Sequence, residues 1–239
     1  MAVVTKPAQS ASRAVMKKLH HNRHRPITQV FNRDVLNRAT MTKITLASSS
    51  PIRLQLLENV GLSVRTHPVR VDEDAIREAL IAEDASPRDI ADTLAEYKAR
   101  RASDQCPADL ILAADQVLAL KRQVFAKPND RDEAAEHLEL LSGQTHHLYS
   151  AACIYQAGKP LWRHVGTARM TMHAHTSAEI QVYLQQAWPD ACYCVGAYQA
   201  EGFGAKLFSR IEGDWFSVLG LPLLDILSYL RLRGSDDHG

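Results

Sequence analysis

Apolar positions alternate between two spacings along most of the chain, and this alternation predicts strands and helices in turn. A β-branched and apolar run at 44–47 is typical of a strand. Ile52, Leu56 and Val60 then recur every four residues, and Gly61 follows, which predicts a helix with these three residues on its buried face. The first two predicted elements are therefore a strand and a helix joined by a short polar segment.

The same alternation continues to the end of the chain. Further strands are predicted at 62–66, 109–114, 117–125, 147–156, 162–173 and 206–211. Further helices are predicted at 87–102, 130–141, 176–187 and after Gly220, the third opened by a Thr176-x-x-Glu179 capping box. Alternating strands and helices favour an α/β fold over an all-α or all-β fold.

Charge divides the 239 residues into a basic arm and a mildly acidic body. Residues 1–40 contain eight Lys and Arg and a single acid, Asp34, and the rest of the chain holds 20 bases against 26 acids. We interpret 1–40 as a disordered basic extension, 41–234 as one domain and 235–239 as a tail. An acidic body argues against nucleic-acid binding through a basic face.

Other sequence features indicate a cytoplasmic protein. No apolar run approaches the ~20 residues needed to span a bilayer, and the basic arm lacks the apolar core of a secretory signal. The four cysteines show no framework spacing and are expected to be reduced thiols. Structural zinc is not expected, because no second pair of ligands accompanies Cys192 and Cys194.

The segment from Ile44 to Arg53 carries the first candidate for chemistry. Three serines and Pro51 follow the strand, so Ser50 is the predicted N-cap of the helix. A helix N-terminus attracts anions, and Ser48, Ser50 and Arg53 would add donors for a phosphate group. The alternative is a capped helix without a ligand.

Two carboxylates in distant segments are candidates for catalysis and metal binding. Asp115 is predicted to end an apolar strand, where open α/β sheets present groups to ligands. Glu73 lies in the acidic run 72–74, which is predicted as a loop. The two could share a hard divalent cation with phosphate oxygens. Alternatively, Asp115 caps a turn and Glu73 is solvated surface.

Two lysines are candidate phosphate ligands. Lys98 continues the apolar stripe of Ile90 and Leu94, so its ammonium could reach a cleft instead of bulk water. Lys127 precedes Pro128 at the exit of a strand. Each has a structural alternative. The stem of Lys98 could pack on the core with its ammonium in solvent, and Lys127 could be an ordinary surface lysine.

Several common enzyme classes are excluded by the motifs that the chain lacks. A glycine-rich segment, 198–204, carries Glu201 at its centre, but it matches neither a Walker loop nor a dinucleotide-binding fingerprint. No serine or cysteine elbow accompanies the scattered histidines, which argues against a hydrolase triad.

Taken together, the ordered motifs resemble the Maf family of nucleotide pyrophosphatases. The resemblance covers roughly residues 43–233, and the matching segments are 46–53, 71–73, 96–99, 114–117, 127–128, 141–145, 202–204 and 218–223. It implies an elongated α/β fold, with a central mixed sheet flanked by helices and a cleft between two lobes. It also implies cleavage of nucleoside triphosphates to monophosphate and pyrophosphate, and a homodimer.

The resemblance also implies roles for the candidate residues. Asp115 matches the proton acceptor, and Glu73 and Asp115 would hold a divalent cation such as Mg, Mn or Co. Lys98 and Lys127 would assist catalysis, and Ser48, Ser50 and Arg53 match the phosphate-binding side. Phosphoryl transfer depends mainly on positioning and charge neutralisation, which this residue set can supply.

Three positions bear on which base is recognised. Gln116 and Glu201 resemble the YceF-type subgroup, which is associated with 7-methyl-GTP, whereas many relatives carry Thr and Gln there and favour dTTP and UTP. A carboxylate at Glu201 would accept from the guanine edge and favour a cationic base. Ile52 departs from the subgroup, which tends to place Trp there. The alternative interpretation is that Ile52 only continues the core stripe of Leu56 and Val60.

We therefore expect a house-cleaning enzyme that hydrolyses 7-methyl-GTP. One alternative is the same reaction on dTTP, UTP or another modified nucleotide. The other is a non-catalytic, nucleotide-binding regulator of cell division. Retention of base, metal ligand and cations in one chain favours an enzyme.

Overall fold

A computed structural model describes residues 43–236. The basic extension predicted at 1–40, and residues 237–239 of the predicted tail, lie outside the described residues. Within the described range, no helix has the length and apolarity required to cross a membrane.

The described chain contains seven strands, seven α-helices and three short 3₁₀ helices, Asp190–Tyr193, Val195–Ala197 and Phe203–Leu207. The strands are β1 (Lys43–Leu46), β2 (Ser63–Thr66), β3 (Leu110–Leu120), β4 (Gln123–Phe125), β5 (Thr145–Gln156), β6 (Lys159–Met172) and β7 (Phe208–Gly213). The helices are α1 (Pro51–Asn59), α2 (Glu73–Ala82), α3 (Pro87–Gln105), α4 (Arg131–Leu141), α5 (Ser177–Ala187), α6 (Trp215–Val218) and α7 (Leu223–Asp236).

All seven strands belong to one mixed sheet. Its order is β2-β1-β3-β5-β6-β7, and β4 pairs with the end of β3. β1 is parallel to both β2 and β3, and the other pairs are antiparallel. The predicted α/β fold with a central mixed sheet flanked by helices is confirmed.

Alternate residues of the central strands contact different helices, because successive side chains of a strand point to opposite faces. One face packs against α3, through residues such as Ala113, Val117 and Ala151. The opposite face packs against α1 and α7 at one end. At its other end, the same face packs against α4 and α5. The site described below lies where β1 gives way to α1.

Several local predictions are confirmed. The segment predicted as strand at 117–125 is β-structure, in which the end of β3 and β4 form a hairpin with Lys121 at a φ of 58° in its turn. The capping box of Thr176 and Glu179 is present at the start of α5. α4 ends at Leu141, as the helix predicted at 130–141 requires.

Other local predictions are wrong. Glu73 does not lie in a loop, because Asp72 caps α2 and Glu73 is its first residue. Asp115 does not end a strand, since β3 continues through it to Leu120. The buried face of α1 is formed by Leu56 and Leu57, and Val60 is 40% exposed.

Candidate active site

A gap in the strand pairing along one edge of β3 lies beside Asp115. β1 pairs with β3 as far as Leu112, and β4 pairs with the same edge from Leu118 onward. Within residues 43–236, no strand pairs with this edge of β3 between these two partners. The predicted position of Asp115 at a strand end was therefore wrong, but the parallel neighbour does end there, and this opens the site.

The ammonium of Lys98 joins the two candidate carboxylates. Its Nζ lies 2.5 Å from Oδ1 of Asp115 and 2.9 Å from Oε1 of Glu73. Asp115 is 6% exposed and Lys98 8% exposed, so the pair is shielded from bulk water. The structure therefore brings Glu73, Lys98 and Asp115, which are distant in sequence, into one cluster.

The secondary structure explains how these side chains meet. Lys98 belongs to the buried side of α3, together with Leu94 and Ala102, so its stem packs on the sheet and its head reaches Asp115. Glu73 opens α2, where Asp72 accepts from the backbone N–H of Ala75. An acidic side chain in the first turn is also favoured by the helix dipole.

Arg53 brings a second cation to the same place. Its Nη1 donates to the carbonyl of Ala114 at 2.8 Å and to Oγ of Ser48 at 3.2 Å. Ala114 lies in the gap of β3, so the guanidinium occupies the position of a strand partner. Burial lowers the pKa of Arg53, while the charges of Asp115 and Glu73 raise it, which places all three in one electrostatic environment.

The start of α1 supports this arrangement. Ser50 is the N-cap and Pro51 is the first helical residue, as predicted. The side chain of Ser50 makes no capping hydrogen bond, whereas Oγ of Ser48 accepts from the backbone N–H of Ser50 at 3.2 Å. The hydroxyl of Ser50 and the first N–H groups of the helix therefore remain available to an anion.

Gln116 is held by the protein through its amide nitrogen. Its Nε2 lies 3.0 Å from Oγ of Ser150, 3.2 Å from the carbonyl of Ser217 and 3.1 Å from the carbonyl of Val218. Because backbone carbonyls only accept, they fix the orientation of the amide. Oε1 is then the atom that Gln116 could offer to a ligand.

Lys127 and Glu201 form a separate group around Cys194. Burial raises the pKa of the Cys194 thiol to about 11, Glu201 adds to that rise and Lys127 opposes it. Both charged side chains are exposed. Across residues 43–236, neither shows a hydrogen bond or ion pair with the Asp115 cluster.

Ile52 is neither a core residue nor fully exposed. It is half-buried on α1, and it takes no part in the three apolar clusters of the described chain. Its side chain thus remains available for contact with a bound molecule. The interpretation of Ile52 as part of the core stripe is wrong.

Sequence reasoning did not identify some residues around the site. Ser150 and Ser217 are buried and hydrogen-bonded beneath it, and Gly220 supplies a carbonyl to Arg53. Gly220 lies in one of the matching motif segments, but no spacing in the sequence marks Ser150. Only the pairing of strands reveals its position.

This arrangement combines groups suited to a polyanion with groups suited to proton transfer. Arg53, Lys98 and the α1 N-terminus would bind negatively charged oxygens. The Asp115 carboxylate beside them could accept a proton from water.

Comparison with known proteins finds a matching family model and similar proteins that are named as enzymes. Residues 43–233 match the family model described as Maf-like protein. The chain is 64% identical over 194 residues to nucleoside triphosphate pyrophosphatase 1 of Jannaschia sp. (strain CCS1), covering 81% of this chain and 98% of that protein. It is 48% identical over 195 residues to 7-methyl-GTP pyrophosphatase of Mesorhizobium japonicum, covering 82% of this chain and 98% of that protein.

Proposed function

The chain belongs to the Maf family, and from this premise we propose that it hydrolyses 7-methyl-GTP to 7-methyl-GMP and pyrophosphate. The observation that carries the proposal is the contact of one buried ammonium, that of Lys98, with both Glu73 and Asp115 beside Arg53. The names of its relatives support the reaction class, and some of them are named for this substrate.

The triphosphate would bind at the cationic side of the site. Arg53 uses Nε and Nη1 on protein oxygens, which holds its guanidinium plane in place. Phosphate oxygens would then contact Nη2, the hydroxyl of Ser50 and the N-terminal amides of α1. Lys98 would add positive charge near the leaving pyrophosphate. Lys127 lies with Glu201 around Cys194, so it has no assigned role at the phosphates in this proposal.

Asp115 would act as the general base. A water oxygen attacks the α-phosphorus, the bond from that phosphorus to the bridging oxygen breaks, and its electron pair leaves with pyrophosphate. The proton of the attacking water passes to the Asp115 carboxylate. The contact with Lys98 fixes that carboxylate at one oxygen, so its position is set before substrate binds.

A divalent cation, Mg, Mn or Co, fits the donor set. Glu73 and Asp115 supply carboxylate oxygens, and the ammonium lying against both indicates that positive charge is favoured there. No cluster of three or more His, Cys, Asp or Glu residues suited to a metal occurs in the described part of the chain. Substrate phosphates would therefore complete the coordination, and the bound cation would neutralise their charge.

Selection of the base would depend on Glu201, Gln116 and Ile52. Glu201 is exposed on its loop and only accepts hydrogen bonds when ionised, which suits the N–H groups of guanine and the positive charge of its 7-methylated form. The Oε1 of Gln116 is also an acceptor. Ile52 offers apolar contact without aromatic stacking.

A panel of nucleotides tests the proposal. Purified protein with magnesium would be incubated with 7-methyl-GTP, GTP, dTTP and UTP, and pyrophosphate release would be measured. We expect kcat/KM for 7-methyl-GTP to exceed that for UTP by about tenfold or more, the scale of one hydrogen bond to a charged group. Faster cleavage of dTTP or UTP would instead support the pyrimidine alternative.

The substitution Glu201→Gln tests the base contact within the same panel. We expect it to reduce kcat/KM for 7-methyl-GTP and to leave the rate on UTP equal or higher, because it removes the charge and adds a donor. Glu139→Gln, at an exposed position of α4, is the matched control. If none of the nucleotides yields pyrophosphate, the pyrophosphatase assignment fails and a binding role is favoured.

A further inference from the structure

A polar row crosses the centre of the sheet beneath Arg53. Gln116 of β3 pairs with Ser150 of β5, and Ser150 pairs with Gly166 of β6. Residues directly opposite each other on neighbouring strands share one face of the sheet. This row therefore lies on the face that carries α1 and α6, opposite the face of Lys98 and α3.

The row holds the turn formed by Ser217–Gly220. The carbonyl of Ser217 accepts from Oγ of Ser150 at 2.6 Å and from Nε2 of Gln116 at 3.2 Å. It also accepts from the backbone N–H of Gly220 at 3.1 Å. Ser150 and Ser217 are 0% and 1% exposed, so these hydrogen bonds form without competition from water.

Close approach of the turn depends on Gly166. A Cβ atom at this position would collide with Oγ of Ser217. Ser217 is fixed from its other side by Asp214, which accepts from its backbone N–H at 2.8 Å and from its hydroxyl at 2.9 Å. The turn is thus clamped between the sheet and the cap of α6.

The Ser217–Gly220 turn contacts Arg53 and fixes its position. The carbonyl of Gly220 accepts from Nε of Arg53 at 2.8 Å. Gly220 has a φ of 91°, and a Cβ there would lie 3.4 Å from Nε and from Nη2 of Arg53. A continuous set of hydrogen bonds therefore links Ser150 to the guanidinium through three backbone groups.

We propose that Ser150 and Gln116 are positioning residues that set the guanidinium of Arg53 for phosphate binding by holding the Ser217–Gly220 turn. Under this proposal, the amide N–H groups of Gln116 act on phosphate binding through the turn, since Ser150, Ser217 and Val218 engage them. Only its Oε1 remains for contact with the base. The proposal builds on the phosphate-binding role of Arg53 within the proposed function.

The test is a double-mutant cycle on the binding of inorganic pyrophosphate, measured by calorimetry in the presence of magnesium. The variants are Ser150→Ala, Arg53→Lys and the two combined. We expect Ser150→Ala to raise the Kd for pyrophosphate by about tenfold in the wild-type background, and by less than about twofold when Arg53 is already lysine. Independent, multiplying effects would overturn the proposal, as would an unchanged Kd for Ser150→Ala.

A matched control separates positioning from general destabilisation. Ser103 is also 0% exposed, and its Oγ accepts from the backbone N–H of Gly158 in a distant turn. We expect Ser103→Ala to lower the melting temperature without changing the Kd for pyrophosphate. A similar rise of Kd in this control would show that the effect of Ser150→Ala is not specific.

A second variant keeps the proposal testable if Ser150→Ala does not fold. Gly166→Ala displaces Ser217 without removing any polar group, and we expect the same rise in Kd and a KM for triphosphate that changes more than kcat. An unchanged Kd in this variant would contradict the proposal. Because the cycle uses pyrophosphate, its result is independent of whether the wild type cleaves 7-methyl-GTP.

Discussion

The side chain of Lys98 belongs both to the apolar core and to the candidate active site. Its stem runs along the apolar side of α3 and its ammonium reaches two carboxylates. Without that ammonium, the carboxylates of Glu73 and Asp115 would lie near each other as like charges, with Asp115 largely shielded from water. Lys98 therefore offsets the repulsion that two neighbouring carboxylates would otherwise produce.

His146 is a second buried ionisable residue, and the proposed reaction does not use it. It is 0% exposed and its Nε2 lies 2.8 Å from the hydroxyl of Tyr198, at the start of the loop that carries Glu201. Burial lowers the pKa of His146 to about 4, and His147 contributes further in the same direction. The imidazole is therefore neutral in the folded protein at neutral pH.

This shift predicts a specific loss of stability in acid. The folded pKa of His146 lies below its ordinary value of 6.5. The contribution of His146 to the free energy of unfolding is therefore fully present above about pH 6.5 and is lost as the pH falls towards 4. The difference corresponds to about 3 kcal/mol. We expect His146→Gln to lose less unfolding free energy than wild type over this range, measured by urea denaturation.

An exposed histidine gives the control for that measurement. His173→Gln, at an exposed site, is expected to follow the wild-type profile. Identical pH profiles for wild type and His146→Gln would show that the burial of His146 has no energetic consequence.

At the scale of elements, strong periodicity and caps made most of the fold predictable. α3, α4 and α5 combine an apolar stripe with a cap, and all three occur where the sequence predicts them. The sequence does not reveal α2, because its acidic first turn resembles a solvated loop and none of its residues is fully buried. Local capping by Asp72, together with partial packing of Ile76 and Leu80, stabilises it instead.

The error at β3 has a different cause. A charged residue in an apolar run usually marks the end of a strand, and Asp115 was interpreted in that way. In the structure the strand continues, because Lys98 balances the charge of Asp115 from the neighbouring helix. The interpretation failed at a position where tertiary contact, not local sequence, decides the conformation.

The candidate site was predictable to the extent that its residues carry chemistry themselves. Arg53, Glu73, Lys98 and Asp115 could be identified as charged residues at special positions, and the structure brings them together. The hydrogen bond by which Ser150 holds the Ser217–Gly220 turn could not be predicted, because it depends on which residues face each other across paired strands. Register of this kind is set by the whole sheet.

At the scale of the whole molecule, the described chain contains the cores that surround the site. Three apolar clusters involve residues from Ile44 to Leu230, and the family match spans 43–233. The basic segment 1–40 precedes the residues that the family model matches. Its removal should therefore leave the reaction intact.

A chain that begins at Met41 tests this expectation. We expect its kcat/KM for nucleotide to stay within about twofold of the full chain, and its unfolding free energy to change by no more than about 0.5 kcal/mol. The comparison uses the same nucleotide panel and thermal unfolding of both proteins. A large loss of activity would assign the basic segment a part in substrate binding.

The path of the water oxygen through the reaction tests whether Asp115 directs water to the α-phosphorus. Hydrolysis of 7-methyl-GTP in ¹⁸O-labelled water, analysed by mass spectrometry, should place the label in 7-methyl-GMP, because water attacks the α-phosphorus. Asp115→Asn should produce no labelled product while keeping the wild-type fold by circular dichroism. Label in pyrophosphate, or wild-type turnover by Asp115→Asn, would contradict the account.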